Sequence, residues 1–528
     1  RRAGDKSPRF KQAKKRFLPS SHTCQLILAS LFAVYSSLAK DFSQMSAFGG
    51  AQLSCDVAIV GAGLSGLSAA QRLLQARPDL RVLVLEAAED RVGGRTLTKP
   101  VRCADGESRG WCFGGSHMAK SHSRMLQLAK DFGLTVSEQP ESAGKNILEI
   151  GDTIDRYEGE TPNLGTLTLL DLDKGIKSLD KLSKTLMESR PSWTNLDGMT
   201  LSKKIEKETW RQATRQCLTA IAEPCFDGEP DRISCLQALR IANSAGGFLA
   251  LLSDGSELRI EEGAQAVCTA LAERIGSDRV LLSRELMQVS ATEDEVRLTV
   301  RSGEEVTASY AVLTPPLAVL SRIRFSPELP APKRGLIEAA GSFAASPGWM
   351  TSAVTAVLTY PTAFWRSQGC SGDILSHLGS PVPGSAMPVA PIALAGEVTS
   401  PDGRQPALMV ATGYTTEHSW PNAEARRADI LSHLARFFPR PEVDGYVDYV
   451  EHDWGASPTG ASPLPPGAAV GLCDSTGLLQ PTGRLHFAGA DFATEWIGTM
   501  EGAVQSARER PMRCCGGWRL DSEQYKIH

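Results

Sequence analysis

The order of apolar and polar positions is clearest in CDVAIVGAGLSGLSAAQRLLQARPDLRVLVLEA, residues 55–87. Residues 56–60 form a short run rich in branched apolar side chains, which is typical of a strand buried on both faces of a parallel sheet. After the turn GAGLSG, the segment LSAAQRLLQAR has apolar residues at helical spacing, and RVLVLEA supplies a second strand. The pattern predicts a strand, a turn, a helix and a strand, the order that begins an α/β fold.

The predicted turn carries three glycines in the spacing GxGxxG, namely Gly61, Gly63 and Gly66. In this context the first glycine permits a tight turn, the second lets the backbone approach a pyrophosphate, and the third lets the helix pack close to the strand. The start of the helix offers unpaired N–H groups to phosphate. Glu86 ends the second strand, where a carboxylate accepts hydrogen bonds from ribose hydroxyls and disfavours a 2′-phosphate. The sequence therefore predicts FAD or NAD as ligand and disfavours NADP.

Two more glycines and an arginine follow the second strand in EDRVGGRT, residues 89–96. Arg95 could neutralise a pyrophosphate or brace the loop around it. The longer segment LEAAEDRVGGRT resembles the extended FAD fingerprint of the flavin-dependent amine oxidases, the family of monoamine oxidase, polyamine oxidase and L-amino acid oxidase. The resemblance implies FAD as the cofactor and adds four candidate contacts to those above: Leu64, Ser65, Ala87 and Gly94.

Three later segments continue the resemblance. Residues 110–134 are similar to the family segment in which a glycine pair lies against the flavin, and residues 263–320 to the segment whose backbone reaches the adenine. GRLHFAGADFATEWIGTMEGAVQSARE, residues 483–509, is similar to the C-terminal FAD motif, in which an acidic residue binds the ribityl or pyrophosphate region and a helix points its N-terminus at the flavin. The further cofactor residues that this resemblance implies are Gly114, Gly115, Ser116, Leu286, Gly489, Asp491, Met500 and Glu501.

The resemblance covers residues 55–510 and implies an α/β architecture, with a Rossmann-like FAD-binding domain of the glutathione-reductase type and an inserted α+β substrate domain. A chain of 528 residues is also too long for one ordinary core. The flavin is expected where the two domains meet, since ligand pockets are common there. The predicted boundaries are 54–145, 255–320 and 450–510 for the FAD-binding domain, 146–254 and 321–449 for the substrate domain, 1–50 for a leader and 511–528 for a tail.

The activity implied by the resemblance is that of an FAD-dependent amine oxidase. A small amine or amino acid would pass a hydride equivalent from its α carbon to flavin N5, and the imine would hydrolyse to an aldehyde or keto product and ammonia. Dioxygen would reoxidise the flavin and give hydrogen peroxide. The cofactor carries the redox chemistry, and the protein supplies orientation and electrostatics. Two alternatives stay open: a related flavin desaturase or oxidase acting on carbon–carbon bonds, and a degenerate, non-catalytic flavoprotein.

The chain departs from the family at the position of covalent cofactor attachment. Some members attach FAD through a cysteine in a glycine-rich segment before the C-terminal motif. The nearest matching position here is Ser462, and Cys473 falls too late in the sequence. Non-covalent FAD is therefore expected.

The substrate side of the flavin also departs from the family. Pro463 and Thr499 match the two tyrosines with which monoamine oxidases frame the flavin, and Thr355 matches the lysine that holds a water near flavin N5 in many members. Residues 345–355 resemble an insertion. Trp496 is retained, either as a pocket wall or as a core residue that packs the last helix. The pocket candidates are thus Trp496, Thr499 and Thr355.

Composition narrows the partners. The formal net charge of −4 shows no basic excess, which argues against nucleic acid as a partner. The 12 cysteines do not form CxxC pairs with zinc spacing, so no metal site is predicted. Cys103 and Cys112 flank a polar loop and could form a disulfide if the protein is exported; unpaired thiols are the alternative.

The first 39 residues have the order of a targeting segment. Residues 1–17 are strongly basic, residues 24–39 are apolar, and Ser37 and Ala39 have the spacing of a cleavage site. A signal or targeting peptide, a membrane anchor within residues 22–39 and a disordered leader are all compatible with this order. Membrane association is expected only through this segment, and the location of the protein is otherwise left open between cytoplasm, organelle and secretion.

Overall fold

The computed structural model describes residues 53–138, 144–159, 161–188, 192–253, 257–346, 353–377, 391–413, 420–455, 464–469 and 479–509. The predicted leader, residues 1–50, and the predicted tail, residues 511–528, lie outside the described residues. So do Ser462, Pro463 and Cys473, and residues 347–352 of the segment that resembles an insertion.

The predicted strand, helix and strand at the start of the fold are confirmed. β1 (Leu53–Val60) ends at the glycine turn, α1 (Leu64–Ala76) follows, and β2 (Val82–Leu85) lies parallel to β1. The last four residues of β1 are buried, as expected of a strand covered on both faces.

The strands that follow in the described chain are β3 (Thr98–Arg102), β4 (Ser108–Cys112), β5 (His117–Met118), β6 (Val136–Glu138), β7 (Lys145–Ile150), β8 (Thr153–Tyr157), β9 (Leu258–Ile260), β10 (Val280–Leu281), β11 (Leu286–Ala291), β12 (Val296–Val300), β13 (Glu305–Leu313), β14 (Arg324–Ser326), β15 (Val354–Thr359), β16 (Cys370–Ser376), β17 (Ile392–Glu397), β18 (Ala407–Thr412), β19 (Asp448–Asp453) and β20 (Leu485–Phe487). The helices are α2 (Ser123–Asp131), α3 (Thr166–Lys184), α4 (Trp193–Asp197), α5 (Leu201–Glu208), α6 (Gln212–Phe226), α7 (Cys235–Ser244), α8 (Phe248–Ser253), α9 (Gln265–Ile275), α10 (Leu317–Leu320), α11 (Ala331–Ala344), α12 (Phe364–Ser367), α13 (Ala423–Phe437), α14 (Arg440–Asp444) and α15 (Met500–Glu509).

Two large sheets organise these elements. The first has the strand order β10-β2-β1-β13-β12-β11-β14, with β20 paired to β13 in parallel. The second has the order β19-β15-β18-β17-β16-β7-β8 and is antiparallel except between β16 and β7. The mixture of parallel and antiparallel sheets with packed helices is the α/β fold that the sequence predicted.

Two strands pair with the sheet that the predicted domain boundaries assign to the other domain. β14 falls in the segment 321–449 assigned to the substrate domain, yet it pairs with β11 in the first sheet. β19 includes residues of the segment 450–510 assigned to the FAD-binding domain, yet it pairs with β15 in the second sheet. Main-chain pairing to a distant strand leaves no mark in a local motif, so these two pairings could not be predicted from the sequence. The division into two domains itself stays a prediction.

Each sheet has its own core. α1, α9 and α15 pack on the first sheet through buried apolar residues such as Leu67, Leu271 and Val504. One face of the second sheet packs against β3, β4 and the helices α3, α5, α6 and α7. Its other face is covered by α12 and α13. The N-terminal and C-terminal segments predicted to bind FAD thus lie side by side, because α1 and α15 share one core.

Cys103 and Cys112 are both free thiols. They lie at opposite ends of the β3–β4 hairpin, in which Thr98 is opposite Cys112 and Arg102 is opposite Ser108. Four to five residues of extended chain separate the two ends, roughly 15 Å, and a disulfide needs Cα atoms within about 7 Å. Of the two alternatives left open by the sequence, a Cys103–Cys112 disulfide or unpaired thiols, the structure has unpaired thiols.

Candidate active site

The turn after β1 contains two glycines that the fold itself requires. Gly61 has a φ of 98°, and a Cβ at this position would lie 2.6 Å from Oγ1 of Thr314. A Cβ on Gly66 would overlap the carbonyl oxygen of Gly61. The tight turn and the close approach of α1 to β1 therefore depend on these two residues, by the mechanism that the spacing predicted.

Gly63 differs, because nothing in the packing of the described residues demands a glycine there. Its φ is −81°, which any residue adopts, and the atom nearest to an added Cβ would be the carbonyl oxygen of Gly93 at 3.7 Å, an ordinary contact. Gly63 is also the N-cap of α1, where no side chain caps the helix. A bare backbone beside uncapped N–H groups is the arrangement that a phosphate-bearing ligand requires.

Glu86 lies at the carboxyl end of β2, beside the glycine turn. Its carboxylate accepts hydrogen bonds from the backbone N–H groups of Ala62, at 2.6 Å, and Ala88, at 2.9 Å. A carboxylate has about four acceptor sites, so ribose hydroxyls could still bind. Ala87 is exposed next to it, and the N–H of Arg284 donates to the Glu86 carbonyl at 2.7 Å, which brings the start of β11 and Leu286 to the same edge.

Arg95 and Asp491 come from distant parts of the chain and are in contact. We call the glycine turn after β1, Glu86, Arg95 and Asp491 together the cradle. Nη1 of Arg95 lies 3.3 Å from Oδ1 of Asp491, and Oδ2 of Asp491 accepts the N–H of Leu317 at 3.2 Å. Gly94, with a φ of 55°, and Gly489, with a φ of 147°, shape the two loops that carry the pair. The structure thus brings together the candidate residues of the first and last FAD motifs.

The glycine pair of the middle motif packs into the same region. A Cβ on Gly114 would overlap the carbonyl oxygen of Arg95, and a Cβ on Gly115 would lie 3.1 Å from Cγ of Met500. The N–H of Gly115 donates to the Arg95 carbonyl at 3.1 Å. Ser116 has its hydroxyl 3.1 Å from Nδ1 of His117. Glycine is needed here because the loop after Gly94, the middle motif and the start of α15 approach each other closely.

Three residues predicted to bind the cofactor have side chains that pack against, or form hydrogen bonds with, other groups of the protein. Leu64 is buried in the core of the first sheet, and the hydroxyl of Ser65 donates to the carbonyl of Ala503 at 2.7 Å. Glu501 is fully buried, and its carboxylate accepts the N–H groups of Arg124, at 3.1 Å, and Met125, at 2.9 Å. It therefore caps the start of α2. Leu64 and Ser65 can offer a ligand only their backbone.

Trp496 and Thr499 form a small turn in front of α15. Trp496 has a φ of 50°, its N–H donates to the carbonyl of Ser244 at 3.0 Å, and its ring packs edge-on against His122 at 4.4 Å. The hydroxyl of Thr499 donates to the Trp496 carbonyl at 2.7 Å and accepts the N–H of Gly502 at 3.3 Å. Thr499 therefore stabilises the start of α15, a role that its match to a family tyrosine did not indicate.

Thr355 lies in β15, directly opposite His452 of β19. Residues directly opposite each other in an antiparallel pair point to the same face of the sheet. This face carries Trp454, whose Nε1 donates to the carbonyl of Phe113 at 2.7 Å and whose ring would lie 2.9 Å from a Cβ on Gly114. Sequence reasoning missed His452 and Trp454, although the alternation in HDW, residues 452–454, places both on one face of a strand.

Two cations lie near His452. Nζ of Lys99 donates to the carbonyl of Glu451 at 2.9 Å, and the guanidinium of Arg91 donates to the carbonyl of Gly94 at 3.0 Å. Burial, followed by the charges of Lys99 and Arg91, lowers the pKa of His452 to about 4. The imidazole is therefore neutral near pH 7, with one donor and one acceptor nitrogen. Burial and the neighbouring Arg91 also lower the pKa of Lys99.

The arrangement fits a dinucleotide. It offers a bare backbone at Gly63, a cation at Arg95, an acceptor at Glu86, and glycines at the points where loops crowd together. Among the described residues, no group of three or more histidine, cysteine, aspartate or glutamate side chains is arranged to hold a metal ion. No helix in the described ranges combines the length and apolar character needed to cross a bilayer.

Known flavin-containing amine oxidases have sequences similar to this chain. The chain is 29% identical to a flavin-containing amine oxidase of Danio rerio over 484 residues, which cover 89% of this chain and 87% of that protein. It is 28% identical to the flavin-containing amine oxidase B of Homo sapiens over 477 residues, which cover 87% of this chain and 85% of that protein.

The fold is also similar to that of a solved structure, the wild-type putrescine oxidase bound to putrescine. The TM-score is 0.75 at 26% identity, with 88% of this chain and 99% of that chain covered. The family model described as flavin containing amine oxidoreductase matches residues 64–510. The chain therefore belongs to the flavin-containing amine oxidoreductase family, whose members carry a flavin.

Proposed function

We propose that this protein is an oxidase that binds FAD without a covalent bond, oxidises a small amine or amino acid, and uses dioxygen as the electron acceptor. The observation that carries the proposal is Gly63, a glycine that the packing of the described residues does not need, in contact with the Gly93–Gly94 loop that leads into the cation Arg95. A bound anion that touches the backbone accounts for both. The family's flavin is a cofactor of that shape and charge.

The residues that would hold FAD are those of the cradle. Glu86 would accept hydrogen bonds from the adenosine ribose, and the N–H groups at the start of α1 would face the pyrophosphate. Arg95 would neutralise the phosphate charge, while Asp491 holds its guanidinium in place. The presence of Ser462 at the position of the attaching cysteine supports non-covalent binding.

The flavin would supply the redox chemistry by accepting a hydride equivalent from the α carbon of the amine. The protein would position the amine against the face that carries Thr355, His452 and Trp454. The apolar residues around Trp454 would shield a bound amine from bulk solvent, which favours its neutral form, because burial penalises a charge. Hydrolysis of the imine would then give an aldehyde or keto product and ammonia.

The proposal is tested on the purified full-length chain. The visible spectrum is recorded, the protein is denatured with acid, and the supernatant is analysed for released FAD. The flavin is then mixed anaerobically with a panel of amines and amino acids before air is admitted. Bleaching by one substrate class, with recovery and hydrogen peroxide in air, is the expected result.

Two other results would contradict the proposal in different ways. Bound FAD that no amine or amino acid bleaches would indicate the degenerate flavoprotein or a substrate oxidised at a carbon–carbon bond. Flavin that stays attached to the denatured chain would contradict the non-covalent assignment alone.

A further inference from the structure

β15 carries Thr355 at the position that matches the lysine of many family members. His452 is the residue directly opposite Thr355 in the register of β15 and β19. Opposite residues in an antiparallel pair have Cβ atoms about 4.5–5.5 Å apart and point to the same face. An imidazole on β19 can therefore reach the space that a long side chain on β15 would fill.

The orientation of His452 is fixed by its neighbours. Its ring packs edge-on against Trp454 at 4.3 Å, and Trp454 is anchored by its hydrogen bond to the carbonyl of Phe113. Phe113 is followed by the Gly114–Gly115 pair, where Gly114 touches the backbone of Arg95. The imidazole is half-buried, so it retains access to the space beside the cradle.

His452 has two cations and one carboxylate near it. Lys99 on β3 and Arg91 in the loop before it are close enough to disfavour the imidazolium, and Asp453 on the same strand opposes them weakly. A neutral imidazole can donate one hydrogen bond and accept another, which is what holding a water requires. If the flavin lies beside His452, the two cations would add positive charge where electrons pass to dioxygen.

We propose that His452 holds the water beside the flavin and so takes the part of the absent lysine in the reaction with dioxygen. The inference rests on the proposed function. In the step concerned, dioxygen would take two electrons and two protons from the reduced flavin to become hydrogen peroxide, and oxidised flavin would be restored. His452 is unchanged at the end of this step, because it only orients the water.

The test isolates this step from the amine. The flavin of the full-length holoprotein is reduced anaerobically by light with EDTA and a deazaflavin, and its reoxidation is followed after rapid mixing with dioxygen. His452→Phe keeps the aromatic contact with Trp454 but removes both nitrogens, and His452→Gln keeps a donor and an acceptor. FAD affinity is measured for every variant by the quenching of flavin fluorescence.

We expect His452→Phe to slow reoxidation roughly tenfold, with FAD affinity within about twofold, because a positioned hydrogen-bonding group has been lost. His452→Gln should stay within about threefold of the unaltered protein. Adding Thr355→Lys to His452→Phe should restore the rate, since the lysine amine would then reach the same space. Tyr449 lies on the same strand but on the opposite face of the sheet, so Tyr449→Phe is the matched control. It should leave the reoxidation rate and the FAD affinity unchanged.

Reoxidation of the His452→Phe protein within twofold of the unaltered rate would overturn the inference. If His452→Phe binds no flavin, His452→Ala is tested in its place, and its reoxidation rate and FAD affinity are compared with those of the unaltered protein. Failure of the unaltered protein to bind flavin would overturn this inference together with the proposed function. Bound flavin that no amine reduces would overturn the proposed function alone, since the light-driven assay uses no amine.

Discussion

Arg95 and Asp491 are separated by 396 positions in the chain, yet Nη1 of the arginine lies 3.3 Å from Oδ1 of the aspartate. The second oxygen of Asp491 accepts the N–H of Leu317, so the carboxylate ties three segments together. Its side chain is about 10% exposed, and that of Arg95 about 30%. The guanidinium is thus held in position before any ligand arrives, which lowers the conformational entropy that binding must overcome.

Replacing Arg95 with alanine should weaken FAD binding by roughly 10- to 100-fold, because a hydrogen bond to a charged group contributes about 1.5–3 kcal/mol. Equilibrium dialysis of the full-length protein against FAD measures the effect. Arg77→Ala is the control, since Arg77 pairs with the exposed Asp79 at 2.6 Å, away from the glycine turn. Equal dissociation constants for both variants would show that Arg95 does not meet the phosphates.

The glycines of the first motif should separate ligand binding from folding. Gly63→Ala places a methyl group 3.7 Å from its nearest neighbour, so the free energy of unfolding without FAD should fall by about 1 kcal/mol or less. FAD affinity should fall strongly, because in the proposed cofactor site the methyl group would occupy the space of the pyrophosphate. Gly66→Ala overlaps the carbonyl of Gly61 and should destabilise the protein with or without FAD.

Urea unfolding in the absence and presence of FAD distinguishes the two variants. The interpretation fails if Gly63→Ala binds FAD as the unaltered chain does, or if it loses as much stability without FAD as Gly66→Ala.

The first motif could be predicted because its signals are local. A run of branched apolar residues, a glycine spacing and helical periodicity all lie within residues 55–87, and the structure has β1, α1 and β2 there. The meeting of Arg95 with Asp491 could be expected only from the family resemblance, because no local pattern relates residues so far apart.

The partners of individual side chains were beyond prediction. Glu501 follows directly after the helix start expected to face the flavin, but its carboxylate is used to cap α2. His452 became visible as a candidate only through the register of β15 and β19, which depends on long-range pairing. A register is set by how two buried faces fit together, and a single sequence does not display that fit.

Glu501 should matter for stability more than for the cofactor. Glu501→Gln removes the charge that accepts two backbone N–H groups and pairs with Arg124 at 3.1 Å, so the free energy of unfolding should fall by about 1–3 kcal/mol. Glu495 pairs with the same arginine at 2.9 Å but is about half exposed, and Glu495→Gln should change stability by less than about 1 kcal/mol. Urea unfolding of the FAD-free protein measures both. A Glu501→Gln variant with normal stability but weakened FAD binding would show that Glu501 contributes to cofactor binding.

Acid should destabilise the fold through His486, which lies in β20 and is 4% exposed. Burial, and then the charge of Lys333, lowers its pKa to about 4. The unfolded chain binds a proton at His486 near pH 6.5 while the native protein does not, so the free energy of unfolding should decrease as the pH falls from about 6.5 to about 4. His486→Gln should make this decrease smaller, although His452 contributes in the same range.

Urea unfolding across this pH range gives the slope for each variant, and Tyr310→Phe, which keeps the ring that packs against His486 at 5.9 Å, is the control. An unchanged slope in His486→Gln would mean that His486 is protonated in the native state as readily as in the unfolded chain. That result would contradict its burial beside Lys333, whose amine is held by the carbonyl of Gln480 at 2.6 Å and the hydroxyl of Thr482 at 2.9 Å and so stays close to the imidazole.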